Sequence, residues 1–199
     1  MSAATAPATA PASNNIIEKG FSTEQAIANI LLDKNPHVHL FDLDGTVVDR
    51  HKQLYPNLDL AISQLKENNC NTVLFATARG QGRSPNNPRE QPQTAFLGLV
   101  GITVKEIQPI LERLGINTDY FLSPDYELEI EFDEEFMDIN GVKYHCWKPV
   151  GLPIIFASPY KGVAFKVIKK KLEINLSHTI VTFDDNELVN ENYKLAFDQ

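Results

Sequence analysis

The sequence predicts an α/β protein of three layers, in which helices cover both faces of a parallel sheet that carries a small β insert. Two observations predict this fold. Short apolar runs alternate along the chain with segments of helical periodicity, which is typical of parallel strands joined by helices. Most of these apolar runs end in Asp or Thr, and ligands bind at the carboxyl ends of the strands in such sheets.

Helices are predicted from capping signals and from apolar residues at helical spacing. Ser22 and Gln25 form a capping-box pattern, and Asn35-Pro36 ends the helix that they begin. Gly115 is expected to terminate the third helix. The predicted helices cover 22–33, 58–65, 104–114, 163–172 and 186–197.

Strands of the main sheet are predicted from apolar runs that are too short for helices. These runs occupy 38–41, 72–77, 120–122 and 179–183. Residues 81–93 contain several prolines and few apolar side chains, so we expect a loop there.

The segment 125–157 lacks a helical period and is expected to form the β insert. Acidic and apolar side chains alternate over 127–133, as on an edge strand with one solvated face. A role of these acids in screening substrates is the alternative. Asn140-Gly141 indicates a turn before a second strand at 142–147, and 152–156 is expected to be a third strand of the insert.

Composition restricts the class of protein. The chain has 199 residues, 43% of them hydrophobic, and a formal net charge of −8. The apolar share excludes global disorder and a fibrous repeat, and no apolar run is long enough to span a membrane as a helix. The acidic balance argues against non-specific binding of nucleic acid and is compatible with recruitment of a divalent cation.

The two cysteines and the first residues bear on the compartment. Cys70 and Cys146 have no zinc or disulfide-framework spacing, so we expect reduced thiols in a cytoplasmic protein, with one disulfide as the alternative. Residues 1–15 are rich in Ala, Pro, Thr and Ser, and we expect a disordered tail before a single domain over 16–199. This tail lacks the basic start and continuous apolar core of a secretory signal, and an organellar presequence would be richer in Arg.

The sharpest chemical signal follows the first strand. Asp42 and Asp44 lie two residues apart, so both carboxylates can face one cavity, and Gly45 permits a tight turn after them. Two such carboxylates repel each other unless a cation joins them. A divalent cation would leave one carboxylate ionised as a nucleophile and the other free to carry a proton. An ordinary Asp-Gly turn is the alternative interpretation.

The segment 41–47 resembles the first motif of the haloacid dehalogenase (HAD) superfamily, an apolar strand followed by Asp-x-Asp-Gly-Thr. The other motifs of that superfamily are matched in order by a strand-end Thr, a Lys that opens a helix and acids that follow a strand: Thr77, Lys161, Asp184 and Asp185. The resemblance covers about 37–195 and implies a Rossmann-like fold. Within the superfamily the pattern is similar to an acid-phosphatase-like, nearly capless branch.

The resemblance implies a Mg²⁺-dependent hydrolase of phosphomonoesters that acts through an aspartyl-phosphate. Asp42 is the implied nucleophile, and Asp44 the group that carries the proton. The presence of Asp44 implies phosphate chemistry rather than carbon–halogen chemistry. The implied ligands of Mg²⁺ are Asp42, the backbone carbonyl of Asp44, and Asp184 or Asp185, with Asp185 the first choice.

The remaining implied residues surround the phosphate. Thr77 and Arg79 would bind phosphoryl oxygens, although a surface position is the alternative for Arg79. Lys161 would stabilise the nucleophile and the phosphoryl group, with Lys166 as the second choice. Asn190 lies where members with paired aspartates often place an Asn that supports the loop.

The substrate class stays open at this point. The spacing between Asp44 and Thr77 holds one helix, so no helical cap fits there, and an open site suits a phosphoprotein or a nucleic-acid end. A small phosphomonoester is the alternative substrate, and a phosphotransferase or a non-enzymatic binding module are the alternative functions. Family members usually continue to a further strand after the fourth motif, whereas only 186–199 follows here, so we expect a trimmed core or a fragment.

Overall fold

The computed structural model describes residues 23–32, 37–67, 71–79, 92–123, 131–157, 160–171 and 179–197. In chain order the elements are α1 (Thr23–Ile30), β1 (His37–Asp42), α2 (Leu58–Glu67), β2 (Asn71–Thr77), α3 (Pro92–Arg113), α4 (Asp119–Leu122), β3 (Phe132–Ile139), β4 (Val142–Pro149), β5 (Ile154–Ala157), a 3-10 helix (Lys161–Val163), α5 (Ala164–Lys171), β6 (Thr179–Phe183) and α6 (Glu187–Phe197). Several predictions lie outside the described residues: the tail 1–15, Cys70, all but the end of the loop 81–93 and the start of the acidic strand.

The strands form one mixed sheet, so the prediction of a parallel sheet is only partly right. The order is β3-β4-β5-β2-β1-β6. β5, β2, β1 and β6 run parallel to one another, whereas β3, β4 and β5 pair antiparallel. Asn140 and Gly141 reverse the chain between β3 and β4, because both adopt the left-handed conformation that a two-residue hairpin requires (φ 54 and 80).

The β insert predicted on the main sheet forms β3, β4 and β5, which continue that sheet. β5 pairs in parallel with β2 and antiparallel with β4, so it joins the predicted insert to the central strands. β5 therefore lies beside β2 at the centre of the sheet, where tertiary packing places it. An apolar run in the sequence predicts a strand but not which strands pair with it.

Residues 120–122 belong to α4, so the prediction of a strand there is wrong. The backbone amides of Phe121 and Leu122 donate to the carbonyl of Thr118 at 3.0 and 3.2 Å, which closes a helical turn. Phe121 is buried, whereas Tyr120 and Leu122 are exposed. Three apolar residues in a row fit either structure, and here only one of them reaches the core.

An apolar core lies on each face of the sheet, because successive side chains of a strand point to opposite faces. The first core joins α1, α2 and α3 to alternate residues of the central strands, including Phe41, Phe75, Ile154 and Phe183. The second core joins α5 and α6 to the residues between them, including Leu40, Leu74, Ile155 and Ile180. The central strands are thus buried on both faces, which explains their continuous apolar sequences.

Helix α3 is longer than predicted and kinks at Ile107 (φ −111, ψ 16). Pro109 explains the kink, because it has no amide proton and its ring crowds the carbonyl one turn earlier. The prediction that Gly115 ends this helix is confirmed, since Gly115 has φ 76 and the amide of Ile116 donates to the carbonyl of Leu111 at 2.9 Å. Neither α3 nor any other helix of the described segments has an apolar stretch long enough to cross a membrane.

Candidate active site

The predicted site residues meet at the carboxyl edge of the parallel strands. β1 ends at Asp42, which lies level with Ala76 in β2. Ala76 is the residue before Thr77, at which β2 ends. β6 ends at Phe183, level with Phe41, so Asp184 follows directly beside Asp42. Because these strands run parallel, their carboxyl ends share one edge of the sheet.

Asp42 and Lys161 form a buried ion pair at the centre of this edge. Lys161 Nζ lies 2.6 Å from Asp42 Oδ1 and 2.9 Å from Asp184 Oδ2. Asp42 and Lys161 are 4% and 5% exposed. Burial raises the pKa of Asp42 to about 6, and the positive charge of Lys161 opposes that increase. Lys161 thus holds the place predicted for it, while Lys166, the second choice, lies further along in α5.

Three carboxylates gather beside this ion pair. Asp42, Asp184 and Asp185 each offer an oxygen, and these oxygens lie within 4.8 Å of one another. The side chain of Asp184 is buried and its pKa is raised by that burial, whereas Asp185 is exposed. The sequence left the choice between Asp184 and Asp185 open, and the fold brings both carboxylates to the same place.

The loop after β6 is fixed by side-chain hydrogen bonds. The amide of Asn186 donates to Asp184 Oδ1 at 3.0 Å. Asn190 Nδ2 donates to the carbonyl of Asp184 at 3.2 Å, and Asn190 Oδ1 accepts from the Thr182 hydroxyl at 3.3 Å. Asn190 therefore supports this loop, in the position that the sequence predicted.

Gly45 allows the loop after β1 to approach Asp185. A Cβ atom at Gly45 would overlap Asp185 Oδ2, and the backbone there has φ +89. The left-handed conformation favours glycine, and a Cβ atom here would push the Asp185 carboxylate aside. The turn after Asp44 therefore places the two aspartate loops against each other.

Asp44 is held by cations and lies outside the group of three carboxylates. Arg79 Nε donates to Asp44 Oδ2 and Arg79 Nη2 donates to Asp44 Oδ1, both at 2.8 Å. Lys52 Nζ also contacts Asp44 Oδ1. The hydrogen bonds from Arg79 lower the pKa of Asp44 to about 2, so Asp44 is ionised in this arrangement.

Thr77 and Arg79 lie side by side at the end of β2. Thr77 is fully buried, and its hydroxyl oxygen accepts from the Arg79 amide at 3.2 Å. Arg79 Nη1 donates to Thr103 Oγ1 at 3.0 Å, and Arg79 Nη2 lies 2.6 Å from Glu106 Oε2. The alternative of a surface position for Arg79 is wrong, because only 10% of its side chain is exposed.

Sequence reasoning missed Lys52, Thr103 and Glu106. Lys52 lies in a connecting loop with a positive φ of 60, and nothing in its neighbourhood in the sequence points to Asp44. Thr103 and Glu106 lie one turn apart in α3, before Pro109. Lys105 and Gln108 have the same spacing, and the helical period predicts only the apolar face of α3, so no sequence signal singled out Thr103 and Glu106.

Comparisons of the chain with protein-family models, with curated proteins and with solved structures find no match.

Proposed function

We propose that this protein is a Mg²⁺-dependent phosphomonoester hydrolase of the HAD superfamily that acts through an aspartyl-phosphate on Asp42. The observation that carries the proposal is the arrangement at the carboxyl edge, where buried Asp42 lies 2.6 Å from Lys161 and beside Asp184 and Asp185. A carboxylate nucleophile, a buried cation and two further carboxylates are the groups that this chemistry requires.

The donor set fits Mg²⁺. All three side chains offer carboxylate oxygens, the ligands that this hard cation prefers, and their oxygens lie close enough for one ion to join them. Asp42, Asp184 and Asp185 would hold the ion, together with the backbone carbonyl of Asp44. When bound, Mg²⁺ supplies positive charge that offsets the repulsion between a phosphate group and these carboxylates.

In the proposed reaction Asp42 attacks phosphorus, and the bond from phosphorus to the leaving oxygen breaks. For this step Asp44 must first take up a proton, because Arg79 and Lys52 hold it ionised in the free protein. Asp44 gives that proton to the leaving oxygen and then accepts one from the water that hydrolyses the aspartyl-phosphate. Lys161 stays beside Asp42 and stabilises the negative charge on the transferring group. The hydroxyl of Thr77 accepts from Arg79, so its own proton is free to bind a phosphoryl oxygen.

The fold supports the finer parts of this proposal. Apolar cores on both faces of the sheet favour the proposed three-layer, Rossmann-like arrangement. Among the described residues, α2 is the helix that lies between β1 and β2, in keeping with a nearly capless site open to a phosphoprotein or a nucleic-acid end. The free, buried thiol of Cys146 supports a cytoplasmic location.

The deciding experiment is the hydrolysis of an aryl phosphate with Mg²⁺ and with EDTA. Wild type should release phosphate only with Mg²⁺, and Asp42→Asn should abolish that release. Asp119→Asn, at an exposed aspartate in α4, is the matched control and should retain full activity. If folded wild type is inactive, or if Asp42→Asn retains activity, the proposal is wrong.

Two further measurements separate the alternatives. Phosphate that appears on an added alcohol instead of in solution would indicate a phosphotransferase. Absence of Mg²⁺ binding in calorimetric titration would favour a binding module that kept the fold.

A further inference from the structure

Lys52 lies at the exposed side of the candidate site. Its ammonium group contacts Asp44 Oδ1, and 50% of its side chain is exposed to solvent. The groups that the proposed function places around the phosphate lie deeper, because Asp42, Lys161 and Thr77 are buried. A phosphate ester bound among these groups must extend its organic part towards the exposed side, which Asp44 and Lys52 border.

The carboxylate of Asp44 is paired even without Lys52. Arg79 Nε and Nη2 donate to its two oxygens, each at 2.8 Å. An ammonium group has three donors, and the contact with Asp44 uses one of those of Lys52. Lys52 can thus donate to a second anion, and Asp44 keeps Arg79 as its partner when this happens.

The backbone at Lys52 adopts a conformation that lysine rarely takes. Its φ is 60, in the left-handed region that favours glycine or asparagine. The amides of His51 and Gln53 donate to Asp49 Oδ1 at 2.8 and 2.9 Å. The amide of Lys52 donates to the carbonyl of Asp49 at 3.0 Å, which closes the turn. None of these contacts uses the side chain of Lys52, so the turn does not account for a lysine at this position.

Backbone contacts hold this turn against the site. Val48 forms β-bridges with both Asp44 and Leu54, and the amide of Gly45 donates to the carbonyl of Val48 at 2.8 Å. A turn that is already fixed in place loses little conformational entropy when a ligand binds to it. Lys52 is therefore presented beside Asp44 before any substrate arrives.

We propose that Lys52 is a specificity residue, which binds a second anionic group on the organic part of the phosphate ester. This second anion lies close to the phosphate in the substrate, because Lys52 contacts Asp44 and Asp44 follows the proposed nucleophile by two residues. A lysine ammonium is a point charge, so a carboxylate and a phosphate both suit it. This inference rests on the proposed function, in which the phosphate binds beside Asp42, and it holds whichever group carries the proton to the leaving oxygen.

The test compares two pairs of esters at saturating Mg²⁺, and the members of each pair differ by one anionic group. 2-Phosphoglycolate is compared with its amide, and the bisphosphate of ethane-1,2-diol with the monophosphate. In at least one pair, the ratio of kcat/KM between the charged and the neutral member should be about 5- to 10-fold higher for wild type than for Lys52→Gly. The pair with the larger change identifies the anion. Any effect of Lys52 through Asp44 that both members share cancels in the ratio.

The variants separate the charge of Lys52 from the shape of the turn. Lys52→Gly removes the ammonium group and suits the left-handed backbone, so the turn should keep its shape. Lys52→Arg keeps the positive charge and should retain most of the preference. Added salt should reduce the ratios for wild type, because exposed charges are screened.

Lys66→Ala is the matched control. It removes the same charge from the last turn of α2, which precedes β2, whereas the site lies where β2 ends. This variant should leave both ratios unchanged.

Equal ratios for wild type and Lys52→Gly in both pairs would overturn the inference, as would the same loss in Lys66→Ala, which would show a general effect of net charge. The proposed function stands in either case, because the esters are hydrolysed. If wild type hydrolyses an aryl phosphate but none of these esters, the inference alone fails. If wild type hydrolyses no phosphate ester, the proposed function is wrong and the inference fails with it.

Discussion

Replacement of Asp42 by Asn is expected to stabilise the folded protein at neutral pH, although it removes the proposed nucleophile. Asp42 is 4% exposed and shares Lys161 with a second buried carboxylate, Asp184. Burial raises the pKa of Asp42 from 3.8 to about 6. The ionised carboxylate therefore costs free energy in the folded state, and an amide of nearly the same shape does not carry that cost.

The magnitude and the sign follow from the two pKa values. The pKa of Asp42 is higher in the folded than in the unfolded state, so wild type becomes more stable as the pH falls through 6 towards 3.8. The stabilisation of Asp42→Asn is then about 3 kcal/mol at pH 7 and about 1 kcal/mol at pH 4.5. The amide oxygen of Asn can still accept a hydrogen bond from Lys161.

Urea denaturation in EDTA at pH 7 and at pH 4.5 measures this difference. Asp44→Asn is the matched control with the opposite sign, because hydrogen bonds from Arg79 lower the pKa of Asp44 to about 2. That variant should lose about 1 kcal/mol at pH 7, after allowance for screening of a partly exposed pair. A less stable Asp42→Asn at pH 7, or a difference that is equal at both pH values, would refute the reasoning.

Three further predictions test the surroundings of the site. Gly45→Ala should weaken Mg²⁺ binding in calorimetric titration, because the new methyl group would displace the Asp185 carboxylate. Gly141→Ala has a similar φ of +80 but open space around it, and it should leave binding unchanged. Equal affinities in the two variants would contradict this. Burial raises the pKa of the Cys146 thiol from 9.0 to about 12, so between these pH values the thiol ionises only in the unfolded form. Between pH 8 and pH 10 the free energy of unfolding of wild type should therefore fall by about 1.4 kcal/mol more than that of Cys146→Ala. If urea titrations show the same pH dependence of stability for wild type and for Cys146→Ala, ionisation of Cys146 does not cause the loss. Asn190→Ala should lower the melting temperature by about 4 °C, because the amide that donates to the carbonyl of Asp184 is lost, and an unchanged melting temperature would show that this bond adds nothing.

Short sequence patterns were enough to predict the elements whose structure depends on neighbouring residues in the chain. The boundaries predicted for β6 agree with the structure, and β1 and β2 agree to within a residue at each end, because strands buried on both faces read as continuous apolar runs. The turn at Asn140-Gly141 was predicted from its residue types, because Asn and Gly tolerate the positive φ values that the turn needs. The strand at 120–122 failed because three residues carry too little pattern to separate a strand from a helical turn.

The sequence by itself determined β1, β2 and β6 and the acidic residues that follow β1 and β6. A parallel strand that ends in Asp places that residue at the carboxyl edge, but Asp42 and Asp184 lie side by side only because β1 pairs with β6. Only the tertiary structure decided that β5 lies beside β2 and that Arg79 joins Asp44 to Glu106. The physical reason is that these contacts join residues far apart in the chain. Apolar packing brings α3 next to Arg79, and the periodicity of α3 in the sequence predicts only the apolar face that packs, not the polar residues that meet Arg79.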